Sequence, residues 1–162
     1  MSYPAITIEP MRHRHRAAVR EMDATEYDRQ SLTADQLSDW ECPRLFVIGA
    51  NSFVAIADGV VVGYCLLEKM HTGDLSVASL VVEPYRRRCG IGSQMVSWMI
   101  NHVPKGCCLS ITTDEAELGA QLMLKRCGMR CTATLHAGDQ TDYLFQYTNM
   151  EGDDAGIEQA TT

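Results

Sequence analysis

The stretch Leu80-Val81-Val82-Glu83-Pro84-Tyr85-Arg86-Arg87-Arg88-Cys89-Gly90-Ile91-Gly92-Ser93 joins two segments with different hydrophobic periods. Leu75 to Val82 is an apolar run that ends before Pro84, as a buried strand would. After the proline, apolar residues recur on one helical face, at Ile91, Met95, Val96, Met99, Ile100 and Val103. The stretch therefore predicts a strand, a basic loop with two glycines, and a helix.

This strand–loop–helix unit is suited to binding an anion. The first turn of a helix has unpaired amides and the positive end of the dipole, and glycines let a phosphate approach the backbone. Arginines at 86, 87 and 88 add charge-assisted hydrogen bonds, although a solvated basic loop is the simpler interpretation. Met95 stands where a Rossmann motif needs its third glycine, and the chain has no Gly-Lys-Ser/Thr of a Walker loop. The pyrophosphate of coenzyme A is the remaining common ligand, and a nucleotide stays an alternative.

The elements around this unit alternate between strand and helix patterns. Asp58-Gly59 lies between two apolar runs, which is the strongest short signal for a β-hairpin. The predicted strands are Ile6 to Glu9 (ended by Pro10), Phe53 to Ala57, Val60 to Leu67, Leu75 to Val82, Cys107 to Thr112, Arg130 to Leu135 and Asp142 to Tyr147, with a turn over His136 to Thr141. The predicted helices are 12–29, Thr33 to Trp40, Ile91 to Val103, and Ala116 to Cys127 closed by Gly128.

Length and composition set the outer limits. The chain has 162 residues, of which 46 % are hydrophobic and 22 % charged, which is typical of one globular domain. No apolar run approaches the roughly 20 residues of a membrane helix, and no signal-peptide pattern is present, so we expect a cytoplasmic protein. The seven cysteines include no Cys-x-x-Cys pair, so we expect reduced thiols and no metal.

The net charge of −7 makes the chain a poor general binder of nucleic acid. Four of the seven net negative charges lie in the segment 148–162, at Glu151, Asp153, Asp154 and Glu158. We therefore expect residues 1–147 to form a single domain and residues 148–162 to be an acidic, disordered tail.

The motif Arg87-Arg88-Cys89-Gly90-Ile91-Gly92, preceded by Val82-Glu83-Pro84, resembles the signature of the GNAT acetyltransferase superfamily. The resemblance covers about residues 6 to 147, and the ribosomal-protein alanine N-acetyltransferases are the nearest group. It implies an α+β fold with a central mixed, mostly antiparallel sheet of six or seven strands. The sheet would be splayed after its fourth strand and would carry about four helices on its faces.

The same resemblance implies acetyl-CoA as co-substrate and a set of residues that bind it. Backbone groups of the strand would pair with the pantetheine arm, and amides of the loop would surround the pyrophosphate. The implied binding residues are Leu80, Val81, Val82, Arg87, Arg88, Cys89, Gly90, Ile91, Gly92 and Ser93. Cys89 is expected to be a small spacer rather than a reactive thiol.

The acid and base of the family are missing from their usual positions. Leu124 stands where the family has a tyrosine acid, and Ser110 where the alanine acetyltransferases have a glutamate. Glu68, Asp74 and Tyr143 are the replacement candidates, followed by His71 and Tyr147. Each of these residues has a simpler interpretation, as a solvated loop residue or a half-buried strand tyrosine.

The sequence thus predicts an enzyme that moves an acetyl group from acetyl-CoA to a primary amine, on a small molecule or a protein N-terminus. The amine would attack directly in a ternary complex. We expect a monomer or homodimer that binds neither nucleic acid nor membrane. The alternative, motivated by Leu124 and Ser110, is a GNAT-fold module that binds acyl-CoA without turnover.

Overall fold

A computed structural model describes residues 5–27 and 51–150 of the chain. Its α-helices are α1 (Arg16–Tyr27), α2 (Ile91–Asn101) and α3 (Leu118–Arg126), and short 3-10 turns span His13–His15 and Pro84–Arg86. Its strands are β1 (Thr7–Pro10), β2 (Phe53–Ala57), β3 (Val60–Lys69), β4 (Leu75–Val82), β5 (Cys108–Asp114), β6 (Arg130–Ala137) and β7 (Gln140–Thr148). The helix predicted over Thr33 to Trp40 lies outside the described residues.

The seven strands form one sheet in the order β1-β2-β3-β4-β5-β7-β6. Four neighbouring pairs are antiparallel, whereas β4 and β5 are parallel. The parallel pairing joins only Leu75 to Leu109 and Ser76 to Ser110, although both strands continue beyond these residues. The predicted α+β class, the mixed and mostly antiparallel sheet, and the splay after the fourth strand are therefore confirmed.

The described residues fall into two compact units. The first unit comprises 5–27, 51–68 and 78–95, and the second comprises 69–77 and 96–150. In the first unit α1 buries Val19 and Met22 in a cluster with Val54, Tyr64, Leu66 and Val81. Within this cluster the Tyr64 hydroxyl donates a hydrogen bond to the buried Asp23 carboxylate, which gives both polar groups a partner. The second unit has its own core of Met99, Val103, Leu109, Ile111, Leu124 and Phe145.

Most of the predicted helices and strands are present. Where an observed end differs from the predicted one, local backbone chemistry explains the difference. The Asp58-Gly59 turn has φ of 51° and 76°, as a type I′ hairpin requires, and it joins Ala57 to Val60. β1 includes Pro10 because β1 is an edge strand, where a residue without an N–H is tolerated. The predicted helix 12–29 begins as a 3-10 turn and becomes α-helical only at Arg16.

In the second unit several predicted ends differ from those of the structure. α3 begins at Leu118 rather than Ala116, because Asp114 accepts the N–H groups of Ala116 (at 2.7 Å, on its side chain) and Glu117 (at 3.1 Å, on its carbonyl). The wide turn predicted over His136 to Thr141 is a tight turn at 138–139, so that Ala137 pairs with Gln140 and both strands are longer. Hydrogen-bonded structure extends to Asn149, two residues into the predicted tail, because the Asn149 N–H donates to the Cys107 carbonyl at 3.0 Å.

Candidate functional site

The loop between β4 and α2 lies wholly in the first unit and is tied to its flanking strands. Its first residue, Glu83, donates its N–H to the Val62 carbonyl at 2.9 Å. Val62 belongs to β3, the neighbour of β4 in the sheet. A 3-10 turn then follows, in which the Arg86 N–H donates to the Glu83 carbonyl at 2.9 Å. The start of the loop is thus hydrogen-bonded to the sheet.

Beyond this turn the backbone takes an unusual course. Arg88 has φ of 63° and Gly90 has φ of 76°, so two residues out of three are left-handed. A side chain at Arg88 costs roughly 1–2 kcal/mol in this conformation, and glycine at position 90 avoids that cost. A non-glycine residue held in this region is typical of a ligand-binding turn.

The amides that follow have no partner in the part of the chain that the structure describes. The N–H groups of residues 88–92 donate no hydrogen bond to any of these residues, and the first described bond is from Gln94 to the Gly90 carbonyl at 3.1 Å. Helix-start amides without a described partner are suited to an anion, because the helix dipole adds a positive field at the same place.

The three arginines of the loop have different surroundings. Arg86 forms an ion pair with Glu83 at 3.2 Å, and Arg87 donates from Nε to the Val82 carbonyl at 3.0 Å. Among residues 5–27 and 51–150, the Arg88 side chain has no described partner and is exposed. Of the three guanidinium groups, only that of Arg88 has no partner among the described residues, and it belongs to the residue with the left-handed backbone. Tyr85, 95 % exposed, and Cys89 are also open to solvent.

The strand residues predicted to bind the cofactor precede this loop on β4. Val81 is buried in the core cluster with α1, whereas Leu80 and Val82 are half-buried. The Val82 carbonyl already accepts the Arg87 hydrogen bond, so Arg87 is held against its own strand.

The predicted catalytic residues are distributed over both units. Glu68 is exposed at the end of β3 in the first unit, and His71 is exposed in the loop that precedes β4 in the second. Tyr143 and Tyr147 are half-buried on β7, opposite Thr113 and Leu109 of β5. Neither tyrosine hydroxyl has a described hydrogen-bond partner in 5–27 or 51–150.

Asp74 has a structural role in the second unit. Its Oδ1 accepts the Cys108 N–H at 2.8 Å, and its Oδ2 accepts the Thr72 hydroxyl at 2.9 Å. The hydrogen bond from Cys108, followed by that from Thr72, holds the pKa of this carboxyl below its usual range. Both oxygens are thus occupied in holding the loop against β5, which argues against Asp74 as the base.

The two positions where the family's acid and base are missing have ordinary structural surroundings. Leu124 is fully buried in the second unit's core. The Ser110 hydroxyl accepts a hydrogen bond from Gln146 Nε2 at 3.1 Å, and the Thr132 hydroxyl donates to Gln146 Oε1 at 2.7 Å. This polar row across β5, β7 and β6 was not predicted, because only the strand register reveals that Ser110 lies opposite Gln146.

Three further features concern metal ligands, membrane-spanning helices and the buried thiol of Cys65. No group of three or more His, Cys, Asp or Glu side chains in this part of the chain is placed to hold a metal ion. None of the helices described is long and apolar enough to cross a membrane. Burial raises the pKa of the Cys65 thiol, which keeps it protonated.

A family model described as Acetyltransferase (GNAT) family matches residues 14–129, and the chain belongs to this family. The match contains the β4–α2 loop. No curated protein sequence matches the chain.

Solved structures agree with this assignment at the level of the fold. A GNAT-family acetyltransferase of Bacillus cereus has a TM-score of 0.73 at 13 % identity, covering 90 % of this chain and 99 % of its own. The ribosomal-protein-S18-alanine N-acetyltransferase of Escherichia coli has a TM-score of 0.69 at 11 % identity, covering 93 % and 98 %. The protein yncA of Salmonella typhimurium, solved with its cofactor acetyl-CoA, has a TM-score of 0.67 at 17 % identity, covering 89 % and 94 %.

Proposed function

We propose that this chain is an N-acetyltransferase that moves an acetyl group from acetyl-CoA to a primary amine, on a small molecule or a protein N-terminus. The observation that carries the proposal is the row of five amides at residues 88–92, which together with the Arg88 guanidinium have no partner among residues 5–27 and 51–150. Family membership, and a similar fold solved with acetyl-CoA, make coenzyme A the ligand that best fits this site. In this proposal residues 1–147 form one cytoplasmic acetyltransferase domain, and the acidic segment 148–162 follows it.

The donor set fits a pyrophosphate. Amides of Arg88, Cys89, Gly90, Ile91, Gly92 and Ser93 would surround its oxygens, and Arg88 would add a charge-assisted hydrogen bond. The backbone of Leu80, Val81 and Val82 would pair with the amides of the pantetheine arm, as one strand pairs with another. Arg87 would act indirectly, through its hydrogen bond to the Val82 carbonyl.

Acetyl-CoA supplies a thioester whose acetyl group transfers to a neutral amine. The chain's own contribution is to bind and orient this group, and orientation can contribute roughly 7–11 kcal/mol at best. Tyr143, like Tyr147, has a hydroxyl with no described partner in residues 5–27 and 51–150, so Tyr143 remains a candidate for moving a proton. Glu68 is the exposed alternative. Tyr143→Phe should lower kcat at least tenfold with acetyl-CoA affinity unchanged, and an unchanged kcat would remove Tyr143 from the reaction.

The first test is thermal unfolding with acetyl-CoA, with ATP as the control ligand. At about 100 times its Kd a specific ligand adds about 2.7 kcal/mol, which shifts Tm by several degrees for a chain of this size. A shift with acetyl-CoA alone supports the site. A shift with ATP alone would show that the loop binds a nucleotide instead.

A second candidate function is a module that binds acyl-CoA without turnover. The burial of Leu124 and the hydrogen-bonded Ser110 favour it, because neither residue can move a proton as the family's tyrosine or glutamate would. Release of free thiol from acetyl-CoA with a panel of amines and N-terminal peptides separates the two functions. Binding without release for any acceptor would favour the module.

A further inference from the structure

A row of polar side chains crosses the sheet within the second unit. Ser110 of β5 lies opposite Gln146 of β7, and on its other side it is in register with Ser76 of β4. Residues in register on neighbouring strands point their side chains to the same face of a sheet. Two hydroxyls and an amide therefore lie side by side on one face, and all three residues are half-buried.

A β-bulge in β6 adds a fourth residue to this row. The pairing of β6 with β7 shifts its register between Cys131 and Ala133, and Thr132 is the additional residue at this shift. The Thr132 hydroxyl donates a hydrogen bond to Gln146 Oε1 at 2.7 Å. Bulges change the direction of a side chain and are common beside functional sites. This bulge joins Thr132 to the row and fixes the Gln146 amide from one side.

The hydrogen bonds of the row run in one direction. Thr132 donates to Gln146 Oε1, and Gln146 Nε2 donates to the Ser110 hydroxyl oxygen at 3.1 Å. The Ser110 proton is therefore directed away from Gln146, where the one other contact described for it is Cys108 Sγ at 3.8 Å, a weak acceptor. The Ser76 hydroxyl has no described partner among residues 5–27 and 51–150. The row thus ends on hydroxyl donors.

The position of these donors in the sheet is also distinctive. Ser76 and Ser110 form the last registered pair between β4 and β5, although both strands continue beyond it. The row is therefore the last level at which these two strands are joined.

We propose that the Ser110 hydroxyl donates a hydrogen bond to a carbonyl oxygen of the amine acceptor, with Gln146 and Thr132 as its positioning residues. This inference rests on the proposed acetyl transfer and narrows the acceptor to amines that carry a carbonyl one carbon away, as every peptide N-terminus does. A neutral donor suits a carbonyl oxygen, whereas an ammonium group would need a hydrogen-bond acceptor. Ser110 keeps its proton, so its role is binding and it does not replace the missing acid or base.

Acetylation of glycinamide and of propylamine tests this role. The two amines are similar in size, but only glycinamide carries a carbonyl. Ser110→Ala should lower kcat/KM for glycinamide by about threefold to tenfold, the range of one hydrogen bond, and should leave the value for propylamine unchanged. Each amine is compared with itself in the two proteins, so the difference in basicity between the amines cancels. Equal losses for both amines, or no loss for either, would overturn the proposal.

Gln146→Glu tests the direction of the hydrogen bonds. A carboxylate only accepts, so it would turn the Ser110 proton toward residue 146 and should reduce the preference for glycinamide over propylamine as Ser110→Ala does. Thr148→Ala is the matched control, because it removes an exposed hydroxyl from the same face of β7, two residues from Gln146, and should leave the preference intact. An unchanged preference in Gln146→Glu would show that Ser110 already donates to residue 146, and would overturn the proposal.

Binding measurements separate this inference from the proposed function. A wild type that binds acetyl-CoA but acetylates neither amine would contradict acetyl transfer alone. Isothermal titration of glycinamide into the protein saturated with CoA then tests Ser110 directly. Binding that Ser110→Ala weakens and Thr148→Ala does not would support Ser110 as a carbonyl-binding residue. A wild type that binds no glycinamide would overturn the inference.

Discussion

The two loops that flank β4 use their polar groups in opposite ways. The loop before β4, in the second unit, binds itself to β5: Asp74 accepts from Cys108 and Thr72, and the Met70 N–H donates to the Asp74 carbonyl at 2.8 Å. The loop after β4, in the first unit, leaves five amides and Arg88 without a described partner. The polar groups of the first loop are therefore paired within the protein, whereas those of the second loop have no described partner.

The first amides of a helix have no partner within the helix, so they are open to water or to an anion. The residues of both loops look alike in the sequence, since each combines glycine with charged residues. The hydrogen-bond partners distinguish them. Asp74, a candidate base by its position, belongs to the loop before β4, whose polar groups are paired and which we call the closed loop. Arg88 belongs to the loop after β4, which we call the open loop.

The largest expected effect is at the open loop. Gly92→Glu would introduce a carboxylate where the pyrophosphate would bind, and should lower acetyl-CoA affinity at least 100-fold. Gly119→Glu is the matched control, since position 119 lies in the first turn of α3 with no other atom near its Cβ. Isothermal titration measures both variants. Unchanged affinity in a folded Gly92→Glu protein would show that the ligand binds elsewhere.

The substitutions Gly63→Ala and Gly73→Ala each disturb the packing beside one of the two loops. Together they test whether that packing matters for stability alone or also for acetyl-CoA binding. A Cβ at Gly63 would lie 3.0 Å from both the Val81 carbonyl and Met95 Sδ, and one at Gly73 would lie 2.8 Å from Cys107 Sγ. Each should lower the free energy of unfolding by about 1–3 kcal/mol, measured in urea. Only Gly63→Ala should also weaken acetyl-CoA binding, because Val81 and Met95 flank the open loop. Equal binding losses in both variants would contradict this distinction.

Arg88→Gly should separate stability from binding. Glycine relieves the left-handed strain, which raises the free energy of unfolding by about 1 kcal/mol, and it removes the free charge. Affinity for acetyl-CoA should fall several-fold at low salt and less at high salt, because salt screens the lost interaction. Asp58→Gly, at another left-handed residue (φ of 51° in the β2–β3 turn), should gain less stability, because aspartate is tolerated in this turn, and should not lose affinity. A loss of affinity independent of salt would argue against a charge effect.

The smallest effect concerns the closed loop at low pH. The folded-state pKa of Asp74 lies below its usual value, so its carboxylate stabilises the fold above the unfolded-state pKa. That contribution is lost as the pH falls through the folded-state pKa. Asp74→Asn should therefore show a shallower fall of Tm between about pH 6 and about pH 3 than the wild type, with turnover retained. Loss of turnover in this variant would instead return Asp74 to the list of bases.

Local patterns were sufficient for most of the fold. The Asp58-Gly59 hairpin, the helix after Gly90 and the strand Leu75–Val82 follow from turn chemistry and hydrophobic period, which act over a few residues. Element ends were less predictable. α3 starts later than predicted because Asp114 accepts the N–H groups of two residues before this helix. Hydrogen bonds of this kind do not appear in the hydrophobic period of the sequence.

What the amino-acid sequence alone determined is the family and the position of the β4–α2 loop, because glycines, arginines and a helix start lie close together along the chain. The partners of each charged group were decided only by tertiary structure. Glu83 neutralises Arg86, the Val82 carbonyl holds Arg87, and Arg88 alone of the three has no partner among the described residues. The same holds for Asp74 and for Ser110, whose partners are 34 and 36 residues away in the chain. Hydrogen bonds depend on distance in space, and only the folded backbone brings such residues within reach.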